Sequence, residues 1–430
     1  MTTSNNMQRL LSKGALAAIA LNGLIGAGIF ALPAAAANQL GFFSPWMFLL
    51  CAGLMLPIVA SFALLSKQFD TTGGPVLYAT KAFSPFIGFQ TGWLLYVGRM
   101  TALAANGHAI VLYLSLFFPT LSSPTVAGPM VCAIILLLAI LNIIGVKNAM
   151  QSMMLITTLK LLPIFLLVAF GITYIQVPEL ISAQAPALTE WPGALLLLIY
   201  AFIGFEGALI PAGEAKAPKR DLPQALILTL LFSAILYFLI QAVVVSVLPQ
   251  PISGKTPLAD TADIITQNLN VVGGAELMLI AAAISIFGNL LALMLAAPRM
   301  TFAMAEQGQM PQWFSKLSPT YLTPVNSIWF LSITAMTLAL TGGFVWLAIF
   351  SSLARLIGYL ICILALPKLH NRQAVSATWL VYLCATSASA ACVWLITQAN
   401  IKSWLFLLSF ILLGSVFYAF EKIKEKQENS

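Results

Sequence analysis

The chain has 430 residues, of which 60% are hydrophobic and 8% charged, and its formal net charge is +7. Soluble domains carry about 25% charged residues, so this composition excludes a soluble globular protein. Apolar runs long enough to cross a bilayer as helices recur along the sequence. They are too long for the strands of a membrane barrel and lack strict alternation, so the sequence predicts an all-α integral membrane protein.

The same sequence argues against several classes of function. The basic residues lie scattered in short loops and form no patch with interleaved aromatic side chains, which argues against nucleic-acid binding. The five cysteines lie in apolar runs without the spacing of metal ligands, so we expect no metal site. Neither a P-loop nor the nucleophile–base set of an enzyme is recognisable, and we expect no cofactor.

Twelve apolar segments are predicted to span the membrane. They cover residues 15–37, 45–66, 86–118, 126–145, 150–176, 193–213, 223–248, 276–304, 325–341, 344–366, 376–396 and 403–420. The longest link between them, 249–275, is polar and is predicted to hold a short helix at the membrane surface. The chain is therefore expected to form a single membrane domain over residues 1–430.

The distribution of lysine and arginine predicts the orientation of this domain. With a cytoplasmic N-terminus, the inside segments contain about fifteen of the 20 basic residues, and the outside links contain Lys255 and Lys402. This bias follows the positive-inside rule. An even number of spans then places both termini in the cytoplasm, in a multi-pass protein of the plasma membrane, which is the inner membrane in a bacterium.

Two predicted spans contain glycines near their middle and a proline further on, within residues 22–33 and 201–211. They are the first and the sixth span, which correspond if residues 15–176 and 193–366 are two repeats. Each repeat has five spans, so the second enters the membrane from the opposite side. The pattern predicts an inverted 5+5 repeat with discontinuous helices 1 and 6, followed by two extra helices over 376–420. In one span alone, the glycines would indicate only close helix packing.

A helix broken in mid-membrane offers a binding site built from backbone. Its free N–H groups form a positive end that attracts a carboxylate, and its free carbonyls accept hydrogen bonds from an ammonium. A zwitterionic α-amino acid presents both charges on one carbon. The two breaks therefore predict a site for a small amino acid substrate near the middle of the bilayer.

Apart from Glu276 and Arg299, near the ends of the eighth span, four charged residues fall within predicted spans, where each costs at least about 2.5–3.5 kcal/mol. They are Arg99, Lys160, Glu206 and Arg355. Glu206 follows the sixth-span break and is interpreted either as a proton carrier or as a static partner of Arg99 or Arg355, and both interpretations stay open. Lys160 lies near mid-depth, which favours a functional role over a side chain that reaches the membrane surface.

Four motifs occur in a characteristic order and spacing: "IGAGIF" (25–30), "TTGGPVLYATKAFSPFIGFQTGW" (71–93), "YAFIGFEGALIPAGEAKAPKRDLPQAL" (200–226) and "GNLLALMLAAPRMTFAMAEQGQMP" (288–311). Through them the sequence resembles amino acid permeases of the amino acid–polyamine–organocation (APC) superfamily, over roughly residues 10 to 370. The resemblance implies a LeuT-like fold with the same 5+5 repeat and two further helices. It also implies secondary transport of amino acids by alternating access, rather than a channel or an intramembrane enzyme.

The resemblance also implies site residues. In the family, backbone amides of the first-span motif bind the substrate carboxylate, and carbonyls at the two breaks bind its amino group. The matching positions of this chain are Leu24, Gly26, Ala27, Gly28, Tyr200 and Ile203. Many relatives have a hydroxyl residue in place of Ala27, so one side-chain contact to the carboxylate is expected to be missing.

Further positions predict the class of substrate and the ion that is coupled to transport. The sixth-span tryptophan of some cation-selective antiporters is Tyr200 here, and Leu293 lies near the position of their eighth-span aromatic residue, so we expect neutral substrates. The motif "TLKLLP" around Lys160 is similar to that of proton-coupled relatives, in which an ammonium replaces a sodium ion between spans 1, 5 and 8. An alternative is an exchanger with Glu206 as the pH-linked group. The partners expected are the amino acid, protons and the lipid bilayer.

Overall fold

The structure is a computed structural model that describes residues 11–69, 71, 73–144, 149–187, 191–254, 256–371 and 378–428. The α-helices of these residues are α1 Lys13–Leu24, α2 Gly28–Leu40, α3 Ser44–Ser66, α4 Gly74–Ala82, α5 Pro85–Leu114, α6 Pro124–Ile144, α7 Ala149–Gly171, α8 Val177–Ser182, α9 Trp191–Ile199, α10 Pro218–Val247, α11 Pro257–Asn268, α12 Gly274–Glu306, α13 Val325–Thr341, α14 Phe344–Asn371, α15 Thr378–Thr397 and α16 Ile401–Glu428.

The predicted all-α architecture is confirmed, and each predicted span coincides with one helix or, for the first and sixth, with a broken one. Eight segments are long and apolar enough to cross a membrane, and three shorter apolar helices accompany them in the described residues. The long polar link contains α11, as predicted. Residues 145 and 376–377, at the ends of two predicted spans, and Lys255 lie outside the described residues.

One end each of α5, α7, α10, α14 and α16 differs from the predicted bound by four to eight residues, and two of these differences have a clear physical reason. The third span was expected to reach residue 118, but α5 ends at Leu114 and a turn leads to Pro119. A proline disfavours helical backbone in the residue before it, so the turn replaces the last predicted helical residues. At the other end of the chain, α16 continues through the polar tail to Glu428, where Lys422 and Glu425 form an i,i+3 ion pair.

The first span breaks between α1 and α2. Residues 25–27 are not helical, and α2 begins at Gly28 after Ala27 in the N-cap position. Each glycine in a helix interior costs about 0.5–1 kcal/mol relative to alanine, so the three glycines in this segment weaken the helix where it ends.

The sixth span breaks after α9, which ends at Ile199. A 3₁₀ turn over Tyr200–Phe202 follows, and a second one covers Phe205–Leu209. Between them Gly204 has a φ of 118°, a left-handed conformation that residues with a side chain rarely adopt. The chain does not return to α-helix until α10 begins at Pro218.

The two breaks touch each other at the centre of the bundle. A Cβ atom at Gly23 would lie 2.5 Å from the carbonyl oxygen of Gly204, and one at Gly204 would lie 2.5 Å from the oxygen of Gly23. Both distances are far below van der Waals contact, so glycine at both positions allows the two backbones to meet. Around them, α5 packs against α12 and α14, and α10 packs against α1 and α3.

The outer surface is apolar, as a lipid-facing surface must be. Large apolar side chains are exposed on the peripheral helices, including Leu137, Phe170 and Leu412. The costly polar and charged side chains are instead buried around the two breaks, among them Asn22, Lys160 and Glu206. This distribution places the chemically active residues in the bundle interior.

Candidate functional site

A cavity of about 520 Å³ lies where the two breaks meet. Its volume is in the usual range for small-molecule sites, about 300–1,000 Å³. The six residues predicted to bind substrate all line it: Leu24, Gly26, Ala27, Gly28, Tyr200 and Ile203. Arg99, Glu206 and Arg355 also line the cavity, whereas Lys160 lies outside its lining.

The cavity extends from the breaks toward one side of the bundle. Its lining includes Ile19, on α1 before the first break, and Leu295 and Arg299, on the second half of α12. The start of α1 and the end of α12 lie on the side that the charge distribution predicts to be cytoplasmic. On the other side, the Tyr113 hydroxyl donates to the Phe30 carbonyl at 2.9 Å, and the two rings are in edge contact.

The N-terminus of α2 is a suitable site for a carboxylate. The first N–H groups of a helix have no partner within the helix and form its positive end. Ala27, in the N-cap position, makes no side-chain capping hydrogen bond. The amide of Gly26 donates to the Leu24 carbonyl at 3.0 Å. The backbone around Ala27 and Gly28 therefore presents the positive end of α2 to the cavity.

Carbonyl groups of both breaks lie near the same place. The Tyr237 hydroxyl on α10 is 2.9 Å from the Leu24 carbonyl and 3.2 Å from the Ala201 carbonyl, so it ties the two breaks together. A carbonyl oxygen has two lone pairs, and Leu24 already accepts from Tyr237 and from the Gly26 amide, so a substrate ammonium that binds there replaces one of these donors. With Tyr200 and Ile203 also in the lining, residues of both broken spans border one cavity.

Lys160 supports the first break from α7. Its fully buried ammonium donates to the Asn22 side-chain oxygen at 2.8 Å, to the Ile25 carbonyl, and at 3.5 Å to the Asn22 carbonyl. These acceptors belong to the C-terminal end of α1, the negative end of a helix, where a cation is favourable. The ion pairs found in the described part of the chain do not include Lys160.

Glu206 is the centre of a buried ionic cluster. Its Oε1 lies 3.4 Å from Arg99 Nη2 and 3.9 Å from Arg355 Nη1. Its Oε2 accepts hydrogen bonds from the Tyr359 hydroxyl at 2.6 Å and from the Gly204 amide at 3.0 Å. The cluster joins α5, the sixth-span break and α14. This geometry fits the interpretation of Glu206 as a static ion-pair partner, and both arginines named from the sequence take part.

A chain of hydrogen bonds connects the sixth-span break to the first. The Tyr200 hydroxyl donates to the Asn106 side-chain oxygen at 2.8 Å, and the Asn106 amide donates to the Asn289 side-chain oxygen at 2.7 Å. The Asn289 amide in turn donates to the Asn22 carbonyl at 3.2 Å. We call these four residues the amide chain; all four line the cavity.

Sequence reasoning missed several of these residues. Asn22 and Asn289 are amides within apolar spans, and burial of a polar group is itself a signal. Tyr359 lies four residues after Arg355, one helical turn away, so both side chains share a helix face. Tyr237 gave no such signal, because its role depends on two carbonyls that are distant in sequence.

A family model described as an amino acid permease matches residues 11–420. The chain belongs to the amino acid permease family. With its apolar spans and buried polar cavity, this permease is a multi-pass membrane transporter and not an enzyme. The resemblance inferred from the four sequence motifs is thereby confirmed.

Two curated relatives have similar degrees of identity. The permease is 26% identical over 348 residues to an arginine/ornithine antiporter of Pseudomonas aeruginosa, covering 77% of this chain and 70% of that one. It is also 26% identical over 361 residues to an uncharacterized transporter of Mycobacterium tuberculosis, covering 80% of this chain and 76% of that one. Both are named as transporters.

A solved structure shows the same fold. The crystal structure of MhsT in complex with L-phenylalanine matches 91% of the permease and 100% of that chain, with a TM-score of 0.63 and 14% identity. At this identity the match shows the fold alone, and it confirms the predicted LeuT-like architecture.

The ionic cluster predicts a large effect for Glu206→Gln. The two arginines would lose the carboxylate that lies within 4 Å of both guanidinium groups. Breaking a buried ion pair by removing one partner costs about 3–5 kcal/mol, because a buried charge is left uncompensated. We expect a clear drop in the thermal unfolding temperature of the purified protein in detergent, monitored by tryptophan fluorescence.

The matched control is Glu306→Gln, which makes the same chemical change at an exposed glutamate at the end of α12. Surface substitutions of this kind usually change stability by less than about 0.5 kcal/mol. Equal unfolding temperatures for the two variants would contradict a tight ionic cluster at Glu206.

Proposed function

We propose that this permease transports neutral amino acids with small or apolar side chains by alternating access. The observation that supports this most directly is the joint lining of one cavity by the N-terminus of α2 and by carbonyls of both breaks. In the proposed complex the substrate carboxylate binds the amides of Ala27 and Gly28. Its ammonium binds carbonyl oxygens at Leu24, Tyr200 and Ile203. Gly26 has no side chain, which allows the backbone of the first break to approach the substrate closely.

The charges of the cavity support a neutral side chain. Its lining includes three arginines, Arg99, Arg299 and Arg355, and one carboxylate, Glu206. That carboxylate is already held by two of the arginines. A cationic side chain would meet excess positive charge without a free acidic partner, and unpaired charges are costly to bury. Leu291, Ala292 and Leu293, which are consecutive on α12, provide an apolar wall of the cavity.

For Glu206 we propose a fixed structural role. It makes two ion pairs and accepts two hydrogen bonds, so releasing it from this cluster would break four interactions at once. The Pseudomonas aeruginosa antiporter is only 26% identical to this permease, so arginine and ornithine are taken as substrates of that protein alone. An exchange mode with Glu206 as the pH-linked group is the alternative that the pH experiments below also test.

The proposed cycle uses the predicted inverted repeats. Residues 15–176 and 193–366 would form the two halves, with the broken spans α1–α2 and α9 at their interface. The cavity extends toward the predicted cytoplasmic side, and the Tyr113–Phe30 contact lies on the other side. This arrangement fits a state open to the cytoplasm, with both termini on that side.

The substrate proposal predicts the outcome of a competition assay. Purified permease in liposomes preloaded with L-leucine should accumulate labelled L-leucine by counterflow. Unlabelled neutral amino acids should compete, whereas arginine, ornithine and polyamines should not, because the one acidic residue among the described lining residues, Glu206, is already paired with two arginines. Competition by the cationic compounds alone would contradict the proposed substrate class.

The site assignment predicts that Gly28→Leu abolishes binding while folded protein remains in the membrane. A Cβ atom at Gly28 would lie 3.3 Å from the Cα of Ala201, so the longer leucine side chain must occupy the space between the breaks. Gly53→Leu is the control, because a Cβ at this exposed position of α3 meets nothing within 4 Å. Normal counterflow by well-expressed Gly28→Leu protein would contradict the site.

We also propose that protons, rather than sodium, bias the cycle through Lys160. Its ammonium contacts the Asn22 and Ile25 carbonyls at the first break, and the family resemblance implies that it takes the place of a bound cation there. Protonation would hold the first break in one arrangement, and deprotonation would release it. Such coupling requires the proton to bind the two transport states with different affinity. Glu206 is the second candidate for proton coupling, and in that alternative it does not have the fixed structural role proposed above.

Lys160→Ala tests the coupling. Wild-type uptake in liposomes should vary with pH and be indifferent to sodium, whereas the variant should show a flat pH profile or be trapped in one state. Lys316→Ala removes a lysine from an exposed loop and should leave the profile unchanged. Sodium-dependent transport without pH dependence, or an unchanged profile in Lys160→Ala, would contradict the proposal.

A further inference from the structure

The hydrogen bonds of the amide chain all run from donor to acceptor in one direction, because the group at the end of the chain, the Asn22 carbonyl, can only accept. The carbonyl of Asn22 is a backbone oxygen, which can accept hydrogen bonds but never donate them. Asn289 therefore has to turn its NH₂ group toward Asn22, at 3.2 Å. Lys160, a pure donor, approaches the same carbonyl at 3.5 Å and cannot reverse this arrangement.

The direction is passed on from one side chain to the next. With its NH₂ group on Asn22, Asn289 presents its side-chain oxygen to Asn106, which must then donate its own NH₂ group, at 2.7 Å. The oxygen of Asn106 is left facing Tyr200, whose hydroxyl donates to it at 2.8 Å. Tyr200 thus donates its single hydroxyl proton to Asn106, and its hydroxyl oxygen can then only accept further hydrogen bonds.

We propose that the Tyr200 hydroxyl oxygen accepts a hydrogen bond from the ammonium of the substrate. This inference rests on the proposed function, because a neutral amino acid with an apolar side chain has the ammonium as its one strong donor. Tyr200 lines the cavity and is 8% exposed, so its hydroxyl is desolvated when a ligand fills the space. Asn106 and Asn289 are positioning residues that hold this hydroxyl in its accepting state.

Because the Tyr200 hydroxyl can only accept a hydrogen bond, it also orients the substrate. A hydroxyl free to rotate can donate to a carboxylate or accept from an ammonium, but Tyr200 can do only the second. The positive end of α2 attracts the carboxylate, and an accepting oxygen on the sixth-span side repels it. The two features together distinguish the two ends of a zwitterion with a single neutral side chain.

The test compares two probes that differ only in the ammonium. L-Leucine and 4-methylpentanoate share the carboxylate and the carbon skeleton, and their dissociation constants are measured on the purified full-length permease. A hydrogen bond to a charged group is worth at least a tenfold difference in affinity. Tyr200→Phe should weaken leucine binding about tenfold and leave 4-methylpentanoate unchanged, because the ring and its edge contact with Phe344 remain.

Asn289→Leu tests the positioning role. It leaves the Tyr200 hydroxyl in place but frees Asn106 to rotate its amide, so the leucine to 4-methylpentanoate ratio should also fall severalfold. A purely structural effect would weaken both probes equally and leave the ratio unchanged. Tyr96→Phe is the matched control on α5, because its buried hydroxyl makes no hydrogen bond within the described residues.

An unchanged ratio in Tyr200→Phe would overturn the inference while leaving the proposed substrate class intact. If wild-type permease binds L-arginine and not L-leucine, the proposed substrate class fails. The same ratio measured with L-arginine and 5-guanidinopentanoate then decides the role of Tyr200 separately. A fall in that ratio supports the accepting hydroxyl, and a constant ratio overturns it.

Discussion

The contact between the backbones of Gly23 and Gly204 is the constraint on which the rest of the site depends. No side chain fits between these two glycines, and Gly204 adopts a left-handed conformation that favours glycine. The contact brings the end of α1 and the sixth-span break together in the bundle interior. Carbonyls of both spans and the N-terminus of α2 therefore border the same cavity, which neither span could form alone.

The site separates its charged groups from its proposed binding groups. Glu206 is paired with both Arg99 and Arg355, and Lys160 contacts the first break outside the cavity lining. The proposed contacts to substrate come from backbone dipoles and from one hydroxyl. In a low-dielectric interior, such fixed dipoles act strongly and avoid the desolvation penalty of additional unpaired charges.

Much of the fold could be predicted from the sequence, because span length, glycine position and charge distribution are local signals. The breaks at residues 25–27 and 200–209 were predicted from the glycines within 22–33 and 201–211, and Arg99 and Arg355 were named as partners of Glu206 in one of the two interpretations left open. The amide chain was not predicted, because it joins four helical segments through single atoms. Which asparagine contacts which tyrosine depends on the rotation of each helix about its axis. Hydrophobic patterns do not determine this rotation precisely enough to predict a single hydrogen bond.

The most direct test of the account is a crystal structure of the permease bound to L-selenomethionine, a neutral amino acid whose selenium is located by anomalous scattering. The account predicts selenium in the cavity between the breaks, with the ligand carboxylate about 3 Å from the amide nitrogens of Ala27 and Gly28. A ligand outside this cavity, or a carboxylate bound to Arg99 or Arg355 in place of the α2 N-terminus, would contradict it.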